Sequence, residues 1–440
     1  MDEKTEIINS ELSKDILKIY EPYFLMFPEY YQVFLDFINN IIYKDNDNSF
    51  SLQNKLFYGL MASSTIGCEY LLLDFEKIFL VLGGEKSWIE EGIKCKGIPD
   101  SIRGMANINN ILAHKPWILD YRNFLSFNNC LNDFLFQSAI ILTSIQRFAS
   151  ILCSLNFIID KNNEDGKKGK KEEENNSDNK NISKINENLK EEKDYKYIDI
   201  TKKKRRIKDE DINDEIQKVI ISVKKSYQEK KEKERKKKKE QKNDEKEDEK
   251  KEEEKKDTNY KKDIFKKYIS EFIISYNNFN PHIEKYLLTE DFNWNENAKY
   301  FYFDYASKEM VYLDKDLKAL QNLTFESNIK DIKINIFELR NTIEKYLNLI
   351  FGINDEEYNY HLTNESLPVV LKRIIKKVAC FPDQILEQEL ESSLEVLNKK
   401  QLVYLIFMVA SIKQKISLTY FANAFCDFNN KSLKKSDIDN

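Results

Sequence analysis

A stretch of one hundred residues, 161–260, limits most strongly how this 440-residue chain can fold. It contains 33 Lys and Arg and 29 Asp and Glu, so that 62 of its residues are charged. A segment of this composition cannot bury enough apolar surface to offset the entropy that is lost on ordering. We therefore predict a disordered, charged linker over residues 159–262, with a polar lead-in at 1–19 and a polar tail at 429–440.

The two regions beside the linker, 20–158 and 263–428, have the sequence patterns of helices. In both, apolar residues recur at steps of three and four, which is the spacing of a helix with one buried face. The whole chain has only 10 Gly and 7 Pro, so few residues interrupt a helix. The sequence thus predicts an all-α protein with two helical domains.

Single residues predict several local features. Pro28 is expected in the first turn of a helix, Ser51 as an N-cap and Pro382 near the first position of a helix. His114 is expected to cap a helix or to pack near Trp117 and not to bind a metal.

Charge and residue content exclude several classes of protein. Outside 161–260 the chain has 37 basic and 46 acidic residues, and an acidic surface argues against nucleic-acid binding. Six cysteines without a Cys-x-x-Cys pair, and three distant histidines, predict no metal site, no cofactor and no disulfide framework. The longest apolar run, Leu402–Ile412, is too short to cross a bilayer, and the first residues do not resemble a secretory signal. We expect a cytoplasmic protein without a membrane span.

A basic cluster in the linker bears on localisation. Residues 202–206 read Lys-Lys-Lys-Arg-Arg, which is the composition of a nuclear-import signal. The surrounding segment is rich in lysine throughout. Solvated, low-complexity chain is therefore the favoured interpretation, and nuclear import is the alternative.

The clearest helix signal lies at 67–84. Its apolar residues lie on one face, and Gly83 and Gly84 follow as a helix stop because glycine takes positive φ without steric cost. Cys68 stands near the start of this helix, where the helix dipole stabilises a thiolate, the form that attacks a peroxide. The alternative is that Cys68 is a small buried residue of the core.

Several segments of the chain resemble the sestrins, in the order in which that family has them. They are Cys68–Tyr70, Gly83–Gly84 and Leu112–Trp117 in the first region, and Glu290–Trp294, Phe351–Tyr360 and Lys377–Pro382 in the second. The resemblance covers nearly all of both ordered regions and none of the linker. It implies two helical domains of the alkylhydroperoxidase type that are related by a pseudo-twofold axis.

By this resemblance, Cys68 matches the peroxidatic cysteine of the family and Tyr70 the tyrosine near it. The family's relay histidine would stand seven residues after the cysteine, where this chain has Phe75. Loss of a general acid costs about a hundredfold or more in rate. We therefore expect a protein that is not an enzyme, and the alternative is an alkylhydroperoxide reductase that uses Cys68.

The resemblance also implies an amino-acid pocket in the second domain. Arg340 matches the arginine that holds the ligand carboxylate, Thr324 matches a lid threonine, and Ser327 stands where a second hydroxyl is expected. Gln401 replaces the carboxylate that pairs with the ligand ammonium. A neutral amide weakens that contact by roughly 1–2 kcal/mol, or about ten- to thirtyfold in affinity.

Two further pocket positions depart from the family pattern. Ile336 replaces a lid threonine, and Leu394 replaces the pocket tryptophan. We expect free leucine to bind weakly or not at all. The alternative for Arg340 is an ordinary ion pair on a helix surface.

An acidic pair after Gly352 is the third candidate site. Glu356 and Glu357 match the paired acids with which sestrins engage the GATOR complex, upstream of the target-of-rapamycin kinase. Exposed carboxylates suit a basic protein partner. The alternative is a solvated acidic turn.

These features together predict a sestrin-like regulator of stress or nutrient signalling that acts by binding proteins. By resemblance it would restrain target-of-rapamycin signalling through a GATOR-type partner and sense a free amino acid. One alternative is an antioxidant alkylhydroperoxide reductase that uses Cys68. The other is a scaffold that retains only the fold.

Overall fold

The computed structural model describes residues 13–44, 50–127, 130–172, 264–268, 292–323, 336–353 and 359–436, with side chains in all of these ranges except 13–18, 156–172 and 431–436. Met1–Asp165 and Lys261–Asn440 form one compact unit, and Gly166–Tyr260 forms a second. The second unit lies outside the described residues apart from 166–172. The predicted linker therefore falls almost wholly outside them as well.

The chain before the linker folds into helices with short connections. They are α1 (Ser13–Phe24), α2 (Pro28–Ile38), α3 (Leu52–Ile66), α4 (Glu69–Val81), α5 (Lys86–Glu91), α6 (Asp100–His114) and α7 (Asn132–Glu172). A π-helical turn, Asn39–Tyr43, continues α2, and 3₁₀ turns follow α5 and α6.

The chain after the linker is also helical. Its helices are α8 (Lys299–Tyr305), α9 (Ser307–Asn322), α10 (Ile336–Ile350), α11 (Tyr360–Ser366), α12 (Val369–Cys380), α13 (Glu387–Val396) and α14 (Lys399–Ser436). No strand occurs within the described ranges, so the all-α prediction is confirmed.

Local signals in the sequence set several helix ends. Pro28 is in the first turn of α2, as predicted, where its missing N–H has no partner to lose. The predicted N-cap, Ser51, accepts a hydrogen bond from the Asn54 N–H at 3.3 Å and starts α3. Gly83 has φ of +81° just after α4, as the predicted stop requires.

The two long helices, α7 and α14, lie in the core. The segments 132–155 and 399–430 are long and apolar enough to cross a membrane, but 100% and 94% of the 18-residue apolar window in each are buried inside the protein, which identifies them as core helices. Aromatic residues from both sides of the linker pack together in this core. The Phe24 and Phe407 rings stack at 4.8 Å, and the Phe136 and Tyr302 rings meet edge to face at 4.9 Å.

The two parts of the chain repeat one pattern. α3 and α10 each have 15 residues and end at a glycine with positive φ, Gly67 at +82° and Gly352 at +75°. α6 and α12 each end at a residue with nearly the same backbone angles, −140° and 62° at Lys115 and −147° and 57° at Phe381. In both cases a Pro-led 3₁₀ turn follows, and a long core helix comes later in the chain. This repeat is the one that the pseudo-twofold relation implies.

Several helix bounds differ from those that the periodicity predicts. α1 begins at Ser13, inside the predicted polar lead-in. α7 is one helix that continues to Glu172, and α14 continues to Ser436, so both extend past the predicted domain ends. Residues 299–305 form α8, a helix that the periodicity does not predict. For α8, tertiary packing overrides a weak local signal, since the Tyr302 side chain is fully buried.

Candidate functional site

A cavity of about 410 Å³ lies between α9, α10 and α14 and contains Arg340. For comparison, an apolar cavity of about 150 Å³ is enough to bind benzene. Side chains from three helices line it: Leu317, Leu320, Gln321, Asn322, Phe337, Arg340, Asn341, Glu344, Tyr404, Met408, Ser411, Ile412 and Lys415. An apolar wall with a few charged groups is typical of a small-molecule site.

Arg340 is held in place at one end of this cavity. Its guanidinium donates hydrogen bonds to the Tyr404 hydroxyl and to the Leu323 carbonyl oxygen. It also lies over two rings, 5.4 Å from the centroid of Phe337 and 5.5 Å from that of Tyr404. These two hydrogen bonds use two of its five N–H donors, so donors remain for a ligand carboxylate.

A second cation lines the same cavity. Lys415 Nζ lies 2.6 Å from Glu344 Oε1, so its charge is largely balanced by that carboxylate. With Arg340, the charged lining is two cations and one anion. The cavity therefore favours an anionic ligand.

Gln401 does not line the cavity. Its side-chain oxygen accepts a hydrogen bond from the Asn398 N–H at 2.8 Å, and Asn398 Oδ1 accepts one from the Gln401 N–H at 2.9 Å. This reciprocal pair caps the start of α14. The Nε2 group of Gln401 is buried without a hydrogen-bond partner, one turn before Tyr404.

The other predicted pocket positions either do not line the cavity or lie outside the described residues. Ile336 is buried at the start of α10, and Leu394 packs against the core from α13; neither lines the cavity. Thr324 and Ser327 lie outside the described residues, as do the predicted partner-binding residues Glu356 and Glu357. Their roles stay predictions.

Cys68 lies at the N-terminus of α4, as its position in the sequence predicts. It is the N-cap residue of that helix and is only 1% exposed, whereas Tyr70, two residues later, is 50% exposed. Phe75 is fully buried and stacks on the Tyr43 ring at 6.1 Å. The family's histidine position is thus filled by a core aromatic residue that carries no proton.

The structure brings two further polar groups to Cys68 that the sequence does not suggest. The thiol of Cys153, from α7, is hydrogen-bonded with that of Cys68; this contact and burial raise the pKa of Cys153 well above its ordinary value. Asp383, in the turn after α12, has its carboxyl oxygen 3.1 Å from where a Cβ on Gly67 would lie. Asp383 is an exposed residue, yet desolvation of its carboxyl by the surrounding protein raises the pKa of that group to about 6. Such contacts between distant parts of the chain leave no local signal in a sequence.

A buried polar group lies deeper, between α6 and α14. Lys413 donates a hydrogen bond to the Leu112 carbonyl oxygen, and burial lowers its pKa to about 7. His114 Nε2 lies 3.1 Å from the Thr65 carbonyl oxygen, and burial, with Lys413 nearby, lowers its pKa to about 4. His114 is therefore a neutral hydrogen-bond donor that fixes the end of α6, in agreement with the packing role predicted for it. No group of three or more His, Cys, Asp or Glu side chains that could hold a metal ion occurs in the described part of the chain.

The fold is all-α, a Cys-x-Tyr segment stands at a helix start, and an arginine lines a cavity. These are features that the resemblance to the sestrins implies. The sequence model of the family described as "PA26 p53-induced protein (sestrin)" matches residues 2–429. The chain therefore belongs to the sestrin family, a family of stress-responsive regulators.

Known relatives are distant in sequence. Sestrin-3 of Mus musculus is 20% identical over 397 residues, which are 86% of this chain and 79% of that protein. The sestrin homolog of Drosophila melanogaster is 27% identical over 133 residues, and that of Dictyostelium discoideum is 20% identical over 169. These matches cover 30% and 38% of this chain, and only 26% and 28% of the fly and slime-mould proteins.

Proposed function

We propose that this protein is a cytoplasmic regulator of nutrient signalling that binds a small organic acid in the Arg340 cavity and acts through a protein partner. The observation that carries the proposal is the cavity itself. It offers a fixed guanidinium with free donors, an apolar wall of Leu317, Leu320 and Ile412, and an excess of positive charge. These are the features that recognise an apolar carboxylic acid such as an amino acid.

Among the described residues that line the cavity, Glu344 is the only acidic partner for a ligand ammonium, and it is already paired with Lys415. The carboxylate is therefore the group that Arg340 recognises, and the ammonium contributes little. Leucine should bind with a dissociation constant of about 1 mM or weaker. This agrees with the replacement of the family's carboxylate by Gln401.

Isothermal titration with three matched ligands tests this account. Leucine and 4-methylpentanoate, which lacks the ammonium group, should bind with similar affinity, and leucinamide, which lacks the carboxylate, should not bind. Arg340→Ala should abolish binding of both acids. Arg373→Ala, at an exposed arginine of α12, is the control and should bind like the unmodified chain. Leucinamide binding as tightly as leucine would refute the role of Arg340.

For the partner, we propose a GATOR-type complex that binds the acidic pair Glu356 and Glu357, on the strength of the family membership and of the two carboxylates. Affinity capture from native extract, followed by mass spectrometry, should recover subunits of such a complex with the unmodified chain. Changing Glu356 and Glu357 to Gln should abolish the capture. Changing Glu387 and Glu395, two exposed acids of α13, to Gln is the control and should not. If both pairs of substitutions reduced the capture equally, the partner would be held by the overall negative charge of the protein and not by a specific docking site.

A further inference from the structure

A very small cavity lies in the core where α7 meets α12 and α14. Its volume is about 10 Å³, which is the space that one water molecule needs. Six of the ten residues that line it are polar; the full set is Ile66, Thr143, Gln146, Arg147, Ser150, Val378, Ala379, Ala410, Lys413 and Gln414. Cavities that stay empty inside proteins are apolar. The polar lining therefore favours a bound molecule over empty space.

Two of these side chains have buried polar atoms without a hydrogen-bond partner in the described part of the chain. Gln146 Oε1 is an acceptor and Arg147 Nε is a donor, and the two residues are only 3% and 2% exposed. The Gln146 Nε2 group is already used, since it donates to the Asn109 side chain at 2.8 Å. The terminal nitrogens of Arg147 donate to Asp316 and Tyr30. A buried group left unpaired loses the hydrogen bonds that it makes with water in the unfolded chain, so both atoms need a further partner.

Matching segments of α7 and α14 relate this cavity to a contact elsewhere in the core. Residues 144–150 read Ser-Ile-Gln-Arg-Phe-Ala-Ser and residues 411–417 read Ser-Ile-Lys-Gln-Lys-Ile-Ser, with three identities in seven positions. In this register Gln146 corresponds to Lys413. The internal repeat of the fold therefore predicts equivalent contacts for these two side chains.

Lys413 donates its hydrogen bond to the Leu112 carbonyl oxygen, near the end of α6. This oxygen cannot receive the usual helix hydrogen bond, because the residue four positions later is Pro116, which has no N–H. α12 ends with the same backbone angles as α6, so that Val378 corresponds to Leu112, and Pro382 stands four residues after it. The Val378 carbonyl oxygen therefore also needs a donor from outside its helix.

Gln146 does not take up the position that corresponds to the Lys413 contact. Its amide group is turned towards Asn109, and the space beside Val378 is the cavity. A molecule in this space can serve two acceptors, the Gln146 Oε1 and Val378 carbonyl oxygens, and one donor, Arg147 Nε. Water matches this set because it both donates and accepts hydrogen bonds. A chloride ion has no hydrogen to donate, and a cation finds no carboxylate among the described residues that line the cavity.

We propose that this cavity is a binding site for one ordered water molecule, which donates hydrogen bonds to Gln146 and Val378 and accepts one from Arg147. Buried waters in proteins make about three such hydrogen bonds. This water takes the place that the Lys413 ammonium group has in the other half of the repeat. It joins α7 to α12 without adding a second lysine charge to the core. The site shares no lining residue with the Arg340 cavity, so it is independent of the proposed ligand binding.

The direct test is a crystal structure of the full chain, grown in sodium bromide, in which ordered waters are visible. We expect one density peak at about 2.7–3.2 Å from Gln146 Oε1, Arg147 Nε and the Val378 carbonyl oxygen, without anomalous scattering. Empty space at this position would overturn the proposal. An anomalous peak there would overturn it as well, because it would identify a bromide ion.

Oxygen-17 relaxation dispersion counts the long-lived internal waters in solution and needs no crystal. Gln146→Lys gives α7 the side chain that α14 has at Lys413, and its ammonium group should displace the water and bind the Val378 carbonyl oxygen. We expect this variant to lose one long-lived water relative to the unmodified chain. Gln388→Lys, at an exposed glutamine of α13, is the control and should keep that water. Equal numbers in Gln146→Lys and the unmodified chain would contradict the proposal.

Gln146→Met covers the case in which the lysine variant does not fold. Methionine has a similar volume and no charge but lacks Oε1, so the water loses one of its acceptors. The same relaxation measurement should then show one long-lived water fewer than in the unmodified chain. Retention of that water in Gln146→Met would overturn the proposal, since Gln146 would not be holding it.

Discussion

Lys413 illustrates what burial does to a single charged residue. Its ammonium group has one described hydrogen bond, to the Leu112 carbonyl oxygen, and desolvation lowers its pKa from 10.5 to about 7. Between these two pH values the unfolded chain carries a proton on Lys413 that the folded chain does not. The free energy of unfolding therefore rises with pH across this window, by up to about 1.4 kcal/mol per pH unit.

Replacing Lys413 with methionine should remove this pH dependence and stabilise the protein at neutral pH. The stability gain of Lys413→Met over the unmodified chain should be largest near pH 7 and should shrink as pH increases to 8.5. Urea unfolding at several pH values measures it. Lys400→Met, at an exposed lysine of the same helix, is the control and should shift stability equally at all pH values. Parallel stability curves for the unmodified chain and Lys413→Met would contradict the lowered pKa.

Gln401 is the residue at which this chain departs most clearly from the family's ligand site. Gln401→Glu keeps the side-chain oxygen that caps α14 and replaces a buried, unpartnered amide nitrogen with an anionic oxygen. A negative charge at a helix N-terminus is favourable, by about 0.3–1 kcal/mol. Because Gln401 lies outside the cavity lining, one turn before the cavity residue Tyr404, the new charge would act on a ligand ammonium only from beyond the lining.

We therefore expect Gln401→Glu to raise the affinity for leucine only by about two- to threefold, with no gain for 4-methylpentanoate, which has no ammonium group. Isothermal titration of both ligands measures the difference. Glu387→Gln, at an exposed residue of α13, is a control for altered net charge. A similar gain for both ligands would show that the variant acts on the fold of the cavity and not through the ammonium.

At the scale of helices, much of the fold follows from local sequence. The Ser51 cap, Pro28 in the first turn of α2 and the positive φ of Gly83 each depend on one residue's own chemistry, and all three are predicted. Pro382 was expected to open a helix, but it leads a 3₁₀ turn. The helix begins later, at Glu387, because the Glu389 side chain accepts a hydrogen bond from the Leu386 N–H at 2.9 Å. The helix start is thus set by a local side-chain cap and not by the proline.

The candidate sites also differ in how much of each could be predicted from the sequence. Cys68 at a helix start is visible in the sequence, because the apolar spacing and the glycines place the helix. Arg340 comes from the resemblance alone. Cys153 and Asp383 approach Cys68 from other parts of the chain, and only the packed structure brings them together. Long-range contacts of this kind have no period and no motif.

Gly67 has two structural roles, at a helix end and in a contact with Asp383. It ends α3 with φ of +82° and also leaves room for Asp383, whose Cβ would lie 3.0 Å from an added Cβ. Gly83 has nearly the same φ, +81°, but open space around it. Gly83→Ala should therefore cost only the left-handed backbone penalty, about 1–2 kcal/mol, and Gly67→Ala should cost more.

Thermal or urea unfolding of the two glycine variants measures this difference directly. Equal destabilisation by both substitutions would mean that Asp383 does not pack against Gly67 in solution.

Over the whole molecule, one core is built from both sides of the linker. A buried ion pair crosses it, with Arg147 of α7 bonded to Asp316 of α9, and the Tyr30 hydroxyl accepts a further hydrogen bond from Arg147 at 2.6 Å. Both side chains of the ion pair are 0% exposed. Removing one partner of such a pair costs roughly 3–5 kcal/mol, so the two parts of the chain are held together by polar as well as apolar contacts.

This shared core leads to a prediction about cleavage. The charged segment 161–260 is rich in Lys and Arg, so trypsin should cut there first. The two fragments should remain associated, because both contribute to one continuous apolar core and each supplies one partner of the Arg147–Asp316 pair. Gel filtration without denaturant should give one peak at the mass of the folded unit, and both fragments should appear on a denaturing gel of that peak.

The control is Asp316→Asn, which leaves Arg147 buried without a counter-charge and should release the fragments at a lower urea concentration. Separation of the unmodified fragments in the absence of urea would show that the two parts fold as independent domains.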